Sequence, residues 1–106
     1  DKTKRPLMGK ICARLSNQMI FTSDNPRNED PADIAQQMLD GVEPQYLPNV
    51  ITVLDRKQAI KTATLFAQSG DVILIAGKGH EPYQEIQGVK HHFDDREIVK
   101  EFFNLQ

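Results

Sequence analysis

An α/β fold is expected for this chain: a Rossmann-like, mostly parallel sheet flanked by helices, with a C-terminal β-hairpin. Three observations predict it. Short β-rich apolar runs alternate with segments of helical periodicity, the order that yields right-handed crossovers and a parallel sheet. Two of those runs end in polar clusters, as strands do where an open sheet meets its ligand crevice. The last third carries two short alternating runs around Gln87-Gly88, a hairpin signal. At 106 residues the chain is the size of one domain, spanning 1–106.

Each element has its own reason. Pro6 suits a helix's first turn, where its missing N–H costs nothing. Leu7, Ile11 and Leu15, with Met8 and Cys12 beside them, predict a core-facing stripe on a helix over 6–16. Residues 18–22 read as a short buried strand. Asp30 is an N-cap with Pro31 at the first helical position and Asp33 in the first turn. That helix turns Ile34, Ala35, Met38 and Leu39 to one face and stops at Gly41. Two prolines make 42–49 a loop. Residues 50–54 are a third β-rich run, and Asp55 caps a helix over 56–68 with Ala59, Ile60, Ala63 and Phe66 or Ala67 inward. Gly70 ends it, and the strand 71–76 follows. Residues 83–86 and 89–92 form the hairpin. Asp94-x-x-Glu97 is a capping-box pattern opening a last helix through Ile98, Phe102 and Phe103. The pattern opens on a helix, from a charged run without an initiator Met. A segment of a longer protein, with a leading strand upstream, is therefore expected.

Composition narrows the function classes. Apolar content is 39% and charged content 26%, ordinary for a globular domain. A net charge of −2 supplies no basic field for phosphates, so nucleic acid is not an expected partner. Cys12 is the one cysteine, so no internal disulfide can form, and it reads as a packed core residue rather than a nucleophile. No signal peptide or membrane-length apolar run is present, so no membrane partner is expected and a cytoplasmic location is.

The most informative stretch is Ser23-Asp24-Asn25-Pro26-Arg27, at the carboxyl end of the first strand. Pro26 keeps Asn25 extended and places Arg27 beyond the sheet edge, where its fork could hold a carboxylate through two parallel hydrogen bonds. Asn25 offers a donor and an acceptor to an amino-acid head group. The alternative is a plain strand-to-helix turn, with Asp24 and Asn25 capping amides and Arg27 paired to Glu29 or Asp30. Gly77-Lys78-Gly79-His80-Glu81 follows the strand 71–76. It lacks phosphate-loop spacing, and Pro82 denies it a following helix N-terminus. Either its glycines let the backbone approach a ligand and leave Glu81 to receive an ammonium, or it is a β-turn with a solvated lysine. His80, His91 and His92 lie near Asp94 and Asp95, but adjacent strand histidines point to opposite faces, so no metal site is expected.

Taken together, Asp1-Lys2-Thr3-Lys4-Arg5-Pro6-Leu7-Met8-Gly9, Ser23-Asp24-Asn25-Pro26-Arg27, Ala76-Gly77-Lys78-Gly79-His80-Glu81-x-Tyr83-Gln84 and Phe93-Asp94-Asp95-Arg96-Glu97 resemble the C-terminal domain of a Mur ligase, in its diaminopimelate-adding branch. The resemblance covers nearly the whole chain, in order and in register. It implies the third of three domains, closing over an upstream central ATPase domain of the same chain. It implies an ATP-dependent amide ligation, with ATP and magnesium held mostly outside this segment. The implied substrates are meso-diaminopimelate and the UDP-N-acetylmuramoyl dipeptide, and the product a peptidoglycan precursor. The family's substrate-binding residues carry over to Asp24, Asn25, Pro26 and Arg27, and to Gly77 and Glu81. Arg27 is implied to bind the carboxylate at the distal stereocentre, with Gly77 and Glu81 at that centre's carboxylate and ammonium. Lysine-adding relatives lack this arginine. The family's Gly-Gly-Asp-Arg sequence would precede Asp1, and its phosphate loop, magnesium ligands and carbamylated lysine belong to the central domain. No catalytic residue is therefore expected within this segment, which alone should be inactive.

Two other classes fit the residues less fully. A free-standing small-ligand binding or regulatory module would need no upstream domain. A dinucleotide-binding domain would need the Gly-x-Gly-x-x-Gly fingerprint, which the sequence lacks.

Overall fold

The computed structural model describes residues 2–77 and 81–103. A 3₁₀ turn, Lys2–Lys4, leads into helix α1 (Arg5–Leu15), followed by β1 (Met19–Phe21) and α2 (Pro31–Leu39). A 3₁₀ helix, Pro44–Asn49, then leads to β2 (Val50–Thr52) and α3 (Arg56–Phe66). The hairpin β3 (Tyr83–Ile86) and β4 (Val89–His92) precedes α4 (Asp95–Phe103). β1 and β2 pair in parallel, with Met19 opposite Val50 and Phe21 opposite Thr52. β3 and β4 pair antiparallel, with Tyr83 opposite His92. The α/β class, the parallel pairing and the C-terminal hairpin are as the sequence predicts.

Local chemistry sets most of the element ends. The Asp30 carboxylate accepts from the Ala32 N–H at 2.9 Å and Pro31 opens α2. At the hairpin tip Gln87 and Gly88 have φ of 49° and 79°, the pair of positive values that a type I′ turn requires. Asp94 caps α4, accepting from the Arg96 N–H at 2.9 Å. The Arg96 guanidinium on the same carboxylate holds its pKa below the usual aspartate range. The Glu97 carboxylate, the other half of the capping-box pattern, meets His92 Nε2 at 2.7 Å. Asp55 occupies the cap position of α3 but its side chain makes no cap hydrogen bond. The Ala59 N–H still bonds the Asp55 carbonyl at 2.9 Å, so backbone geometry starts that helix. The two prolines of 42–49 make a 3₁₀ helix rather than an irregular loop.

Met19 and Phe21 alternate to one face of β1 and pack with Ala13 of α1 and Val42 after α2. Met38, Leu39, Tyr46 and Val50 close around that cluster. Further along the chain, α3 buries Ala59 and Ile60 and packs against α4.

Other expectations are corrected by the packing. Helix α1 buries Gly9 and Ala13, while Leu7, Met8, Ile11, Leu15 and Cys12 are exposed. The periodicity located an apolar stripe but not its partner. Here α1 crosses α2 so closely that the contact admits only small residues, and the stripe turns outward. At the end of α3 Phe66 points out and Ala67 is half-buried, so of the two alternatives it is Ala67 that turns inward. Residues 71–76 are not a strand: they are extended without a ladder, with Val72 at 93% and Leu74 at 86% exposure. An open cavity of about 1160 Å³ lies between this run and the sheet, lined by Ile20, Ile51, Ile60, Ile73 and Leu74 among others. A strand exists only when its N–H and C=O groups meet a neighbour, and apolar composition cannot supply one.

Candidate functional site

The crevice forms where β1 ends. The Val53 N–H bonds the Phe21 carbonyl at 2.9 Å, so β1 and β2 leave the sheet together before Ser23. The Asp24 carboxylate then accepts from the N–H of the next residue, Asn25. Pro26 is buried, and its carbonyl accepts from Glu29 at 3.0 Å.

Asn25 is the hub. Its Nδ2 donates to Glu81 Oε2 at 2.8 Å, and its Oδ1 accepts from the Glu85 N–H at 2.7 Å. One amide thus joins the first loop to the second and to the edge of the hairpin. The backbone of Arg27 continues the junction as an isolated parallel bridge to Ile86. Its N–H donates to the Glu85 carbonyl at 2.9 Å, and its carbonyl accepts from the Gln87 N–H at 2.5 Å. Held this way, Arg27 has φ of 56°, left-handed backbone of the kind that persists where surrounding contacts over-determine it.

The Arg27 side chain projects past the sheet edge and is 60% exposed. Nη1 reaches the Asn25 carbonyl at 3.4 Å and Nε lies 4.0 Å from Glu85 Oε2, both weak contacts. The plain-turn alternative would pair Arg27 with Glu29 or Asp30. Glu29 is instead taken by Arg5, at 2.5 Å, and by Lys2, at 3.3 Å. Arg5, then Lys2, depress its pKa. Asp30 is occupied as the α2 cap.

Gly77 lies against Asp24. Its φ is 98°, a left-handed value that favours glycine, and a Cβ placed on it would lie 3.1 Å from the Asp24 Oδ2 carboxylate tip. Lys78, Gly79 and His80 lie outside the described residues. Asp24, Asn25, Pro26, Arg27, Gly77 and Glu81 therefore gather at one sheet edge, with the Glu81 carboxylate on the Asn25 side-chain amide and the Arg27 guanidinium near the Asn25 backbone carbonyl. Such a site can hold a ligand bearing a carboxylate beside an ammonium. His91, His92, Asp94 and Asp95 stand apart from it: His92 pairs with Glu97, Asp94 with Arg96 and Asp95 with Arg56.

Sequence reasoning overlooked Glu85, whose backbone receives both Asn25 and Arg27, and Arg56. Arg56 did leave a signal. It is the first residue of a helix, where a cation opposes the dipole, and a residue in an unfavourable place points to a specific partner.

Residues 1–79 match the family described as "Mur ligase, glutamate ligase domain". The chain belongs to that family. It is 58% identical over 106 residues to the UDP-N-acetylmuramoyl-L-alanyl-D-glutamate–2,6-diaminopimelate ligase of Parabacteroides distasonis, covering 100% of this chain and 22% of that protein. The ligase of the same name from Bacteroides thetaiotaomicron is 56% identical over 104 residues, covering 98% and 22%. A solved structure of a ligase of this name matches with a TM-score of 0.90 at 45% identity, over 98% of this chain and 21% of that one. The Mur ligase domain fold is thereby established for this chain. The chain spans about a fifth of the length of the curated relatives it matches.

Proposed function

We infer that this Mur ligase domain is the amino-acid-recognising, C-terminal domain of a cytoplasmic ligase. That ligase adds meso-diaminopimelate to UDP-N-acetylmuramoyl-L-alanyl-D-glutamate during peptidoglycan synthesis. The observation that carries the reading is the Asn25 amide, which ties Glu81 and the Arg27 turn into one crevice with both charges a diaminopimelate end group needs. The names of the curated relatives support the choice of amino acid. No described helix is long and apolar enough to cross a membrane.

The recognition chemistry follows from the donors. The Arg27 fork receives the distal carboxylate through two parallel charge-assisted hydrogen bonds. Glu81, already oriented by Asn25, receives the distal ammonium. Lysine offers the ammonium without that carboxylate, so it leaves the fork unmatched. A site built to bond a group rejects the analogue that lacks it. ATP and magnesium belong to other parts of the ligase in this reading. The described residues contain no group of three or more His, Cys, Asp or Glu side chains that could hold a metal ion, and Gly77 leads to the hairpin rather than to a helix N-terminus. No step of the ligation is assigned to this domain.

The test is amino-acid specificity of the full-length ligase, with diaminopimelate against lysine as the varied substrate. A strong preference for diaminopimelate is expected, and equal use of both would overturn the reading. Glu81→Gln sharpens it, because shape is kept while the charge is lost. The KM for diaminopimelate should rise while kcat recovers at saturating amino acid. A kcat that stays depressed by roughly 10²–10⁴ at saturation would make Glu81 a general base instead.

A further inference from the structure

Both loops of the crevice start from one buried guanidinium. Arg56, at the start of α3, is 2% exposed. Its Nη1 donates to the Ser23 carbonyl at 3.0 Å and its Nη2 to the Ala76 carbonyl at 3.2 Å. Its Nε and Nη2 form a bidentate pair with Asp95 at 2.8 and 2.7 Å. Ser23 and Ala76 immediately precede Asp24 and Gly77, the first residues of the two loops.

The placement has a geometric consequence. Residues 71–76 make no ladder, so strand pairing does not fix where their end sits. The hydrogen bond from Arg56 to Ala76 supplies a position, and the one to Ser23 measures that position against the end of β1. Asp95, in the first turn of α4, fixes the plane of the guanidinium and so the directions of both bonds. A buried charge pair of this kind adds little stability over an apolar pair of similar volume, whereas its fork geometry is specific.

We propose that Arg56 is a positioning residue for amino-acid recognition. By holding the Ser23 and Ala76 carbonyls on one planar group, it sets the separation of Arg27 from Glu81 and hence the match to the distal end of diaminopimelate. The inference rests on the function proposed above.

Arg56→Lys in the full-length ligase tests it. A lysine keeps the charge opposite Asp95 but, as a single point donor, cannot span both carbonyls and the carboxylate. The KM for diaminopimelate should rise by about tenfold or more, while the KM for ATP, and kcat at saturating diaminopimelate, stay within about twofold. A merely structural role would lower the unfolding temperature and leave the diaminopimelate KM where it was, which would overturn the proposal. If the lysine variant is insoluble, Asp95→Asn, which frees the plane of the guanidinium, is read by the same two KM values. Arg27→Ala in the same series separates the two ideas. If it raises the KM and the Arg56 and Asp95 variants do not, positioning is wrong and recognition stands. If none of the variants moves the KM, both are wrong.

Discussion

Replacing Arg27 by alanine in the full-length ligase is expected to raise the KM for diaminopimelate at least about tenfold, with the KM for ATP changed less than about twofold. A tenfold change is ~1.4 kcal/mol, and a hydrogen bond to a charged group contributes roughly 1.5–3 kcal/mol, so even one such bond exceeds the threshold. The side chain is available to a ligand because its contacts within the domain are weak: 3.4 Å to the Asn25 carbonyl and 4.0 Å to Glu85. The substitution should leave the fold intact, since what docks the turn is backbone, through the Glu85 carbonyl and the Gln87 N–H. Arg27→Gly separates side chain from backbone. It relieves the left-handed φ of 56° yet should lose the same affinity as alanine. Arg27→Lys should recover little, because an ammonium cannot present two parallel donors. A diaminopimelate KM within about twofold of wild type in Arg27→Ala would sink the assignment.

The second large effect is on stability. Gly9→Ala and Gly41→Ala should each loosen the α1–α2 contact by about 3 kcal/mol, the upper end of the usual cost of overpacking. A Cβ on Gly9 would overlap the Met38 carbonyl, and one on Gly41 the Pro6 carbonyl. In both cases the obstacle is backbone, which cannot swing aside as a side chain tip does. The helices must separate, and the cluster of Ala13, Met19, Phe21 and Val42 beneath them opens. Neither glycine is among those with positive φ, so the penalty is steric rather than conformational. Gly70 reverses the case: its φ is 92°, and a Cβ added there would meet nothing within 4 Å. Hydrogen exchange of the α1 and α2 amides in the full-length ligase, alongside thermal unfolding, measures the loss. Wild-type protection in both variants would refute the close crossing.

Both results bear on what a sequence can carry. The caps at Asp30 and Asp94, Pro31 at the head of α2 and the Gln87-Gly88 turn are decided within a few residues of themselves. Each is a backbone donor or dihedral met by a neighbour in the chain, and each was legible. Asn25 and Arg27 follow the apolar run of β1 and so fall at a strand end, as an α/β class leads one to expect, whereas Gly77 and Glu81 follow a run that forms no strand and reach the same edge through Arg56 and Asn25. The burial of α1 was not legible. Leu7, Ile11 and Leu15 make a sound helical stripe, yet which face is covered depends on what packs there, and a glycine contact with α2 outcompeted it. The run Val72-Ile73-Leu74-Ile75 has the composition of a buried strand. A ladder needs a partner roughly 4.7–4.9 Å away, however, and the cavity beside this run holds none among the described residues. The guanidinium of Arg56 joins Ser23, Ala76 and Asp95, 33, 20 and 39 residues away. The sequence by itself therefore determined the class, the parallel order of the first two strands, the caps at Asp30 and Asp94 and the hairpin turn. Only the tertiary structure decided which faces are buried and how the two loops are spaced, because those depend on contacts between residues far apart in the chain.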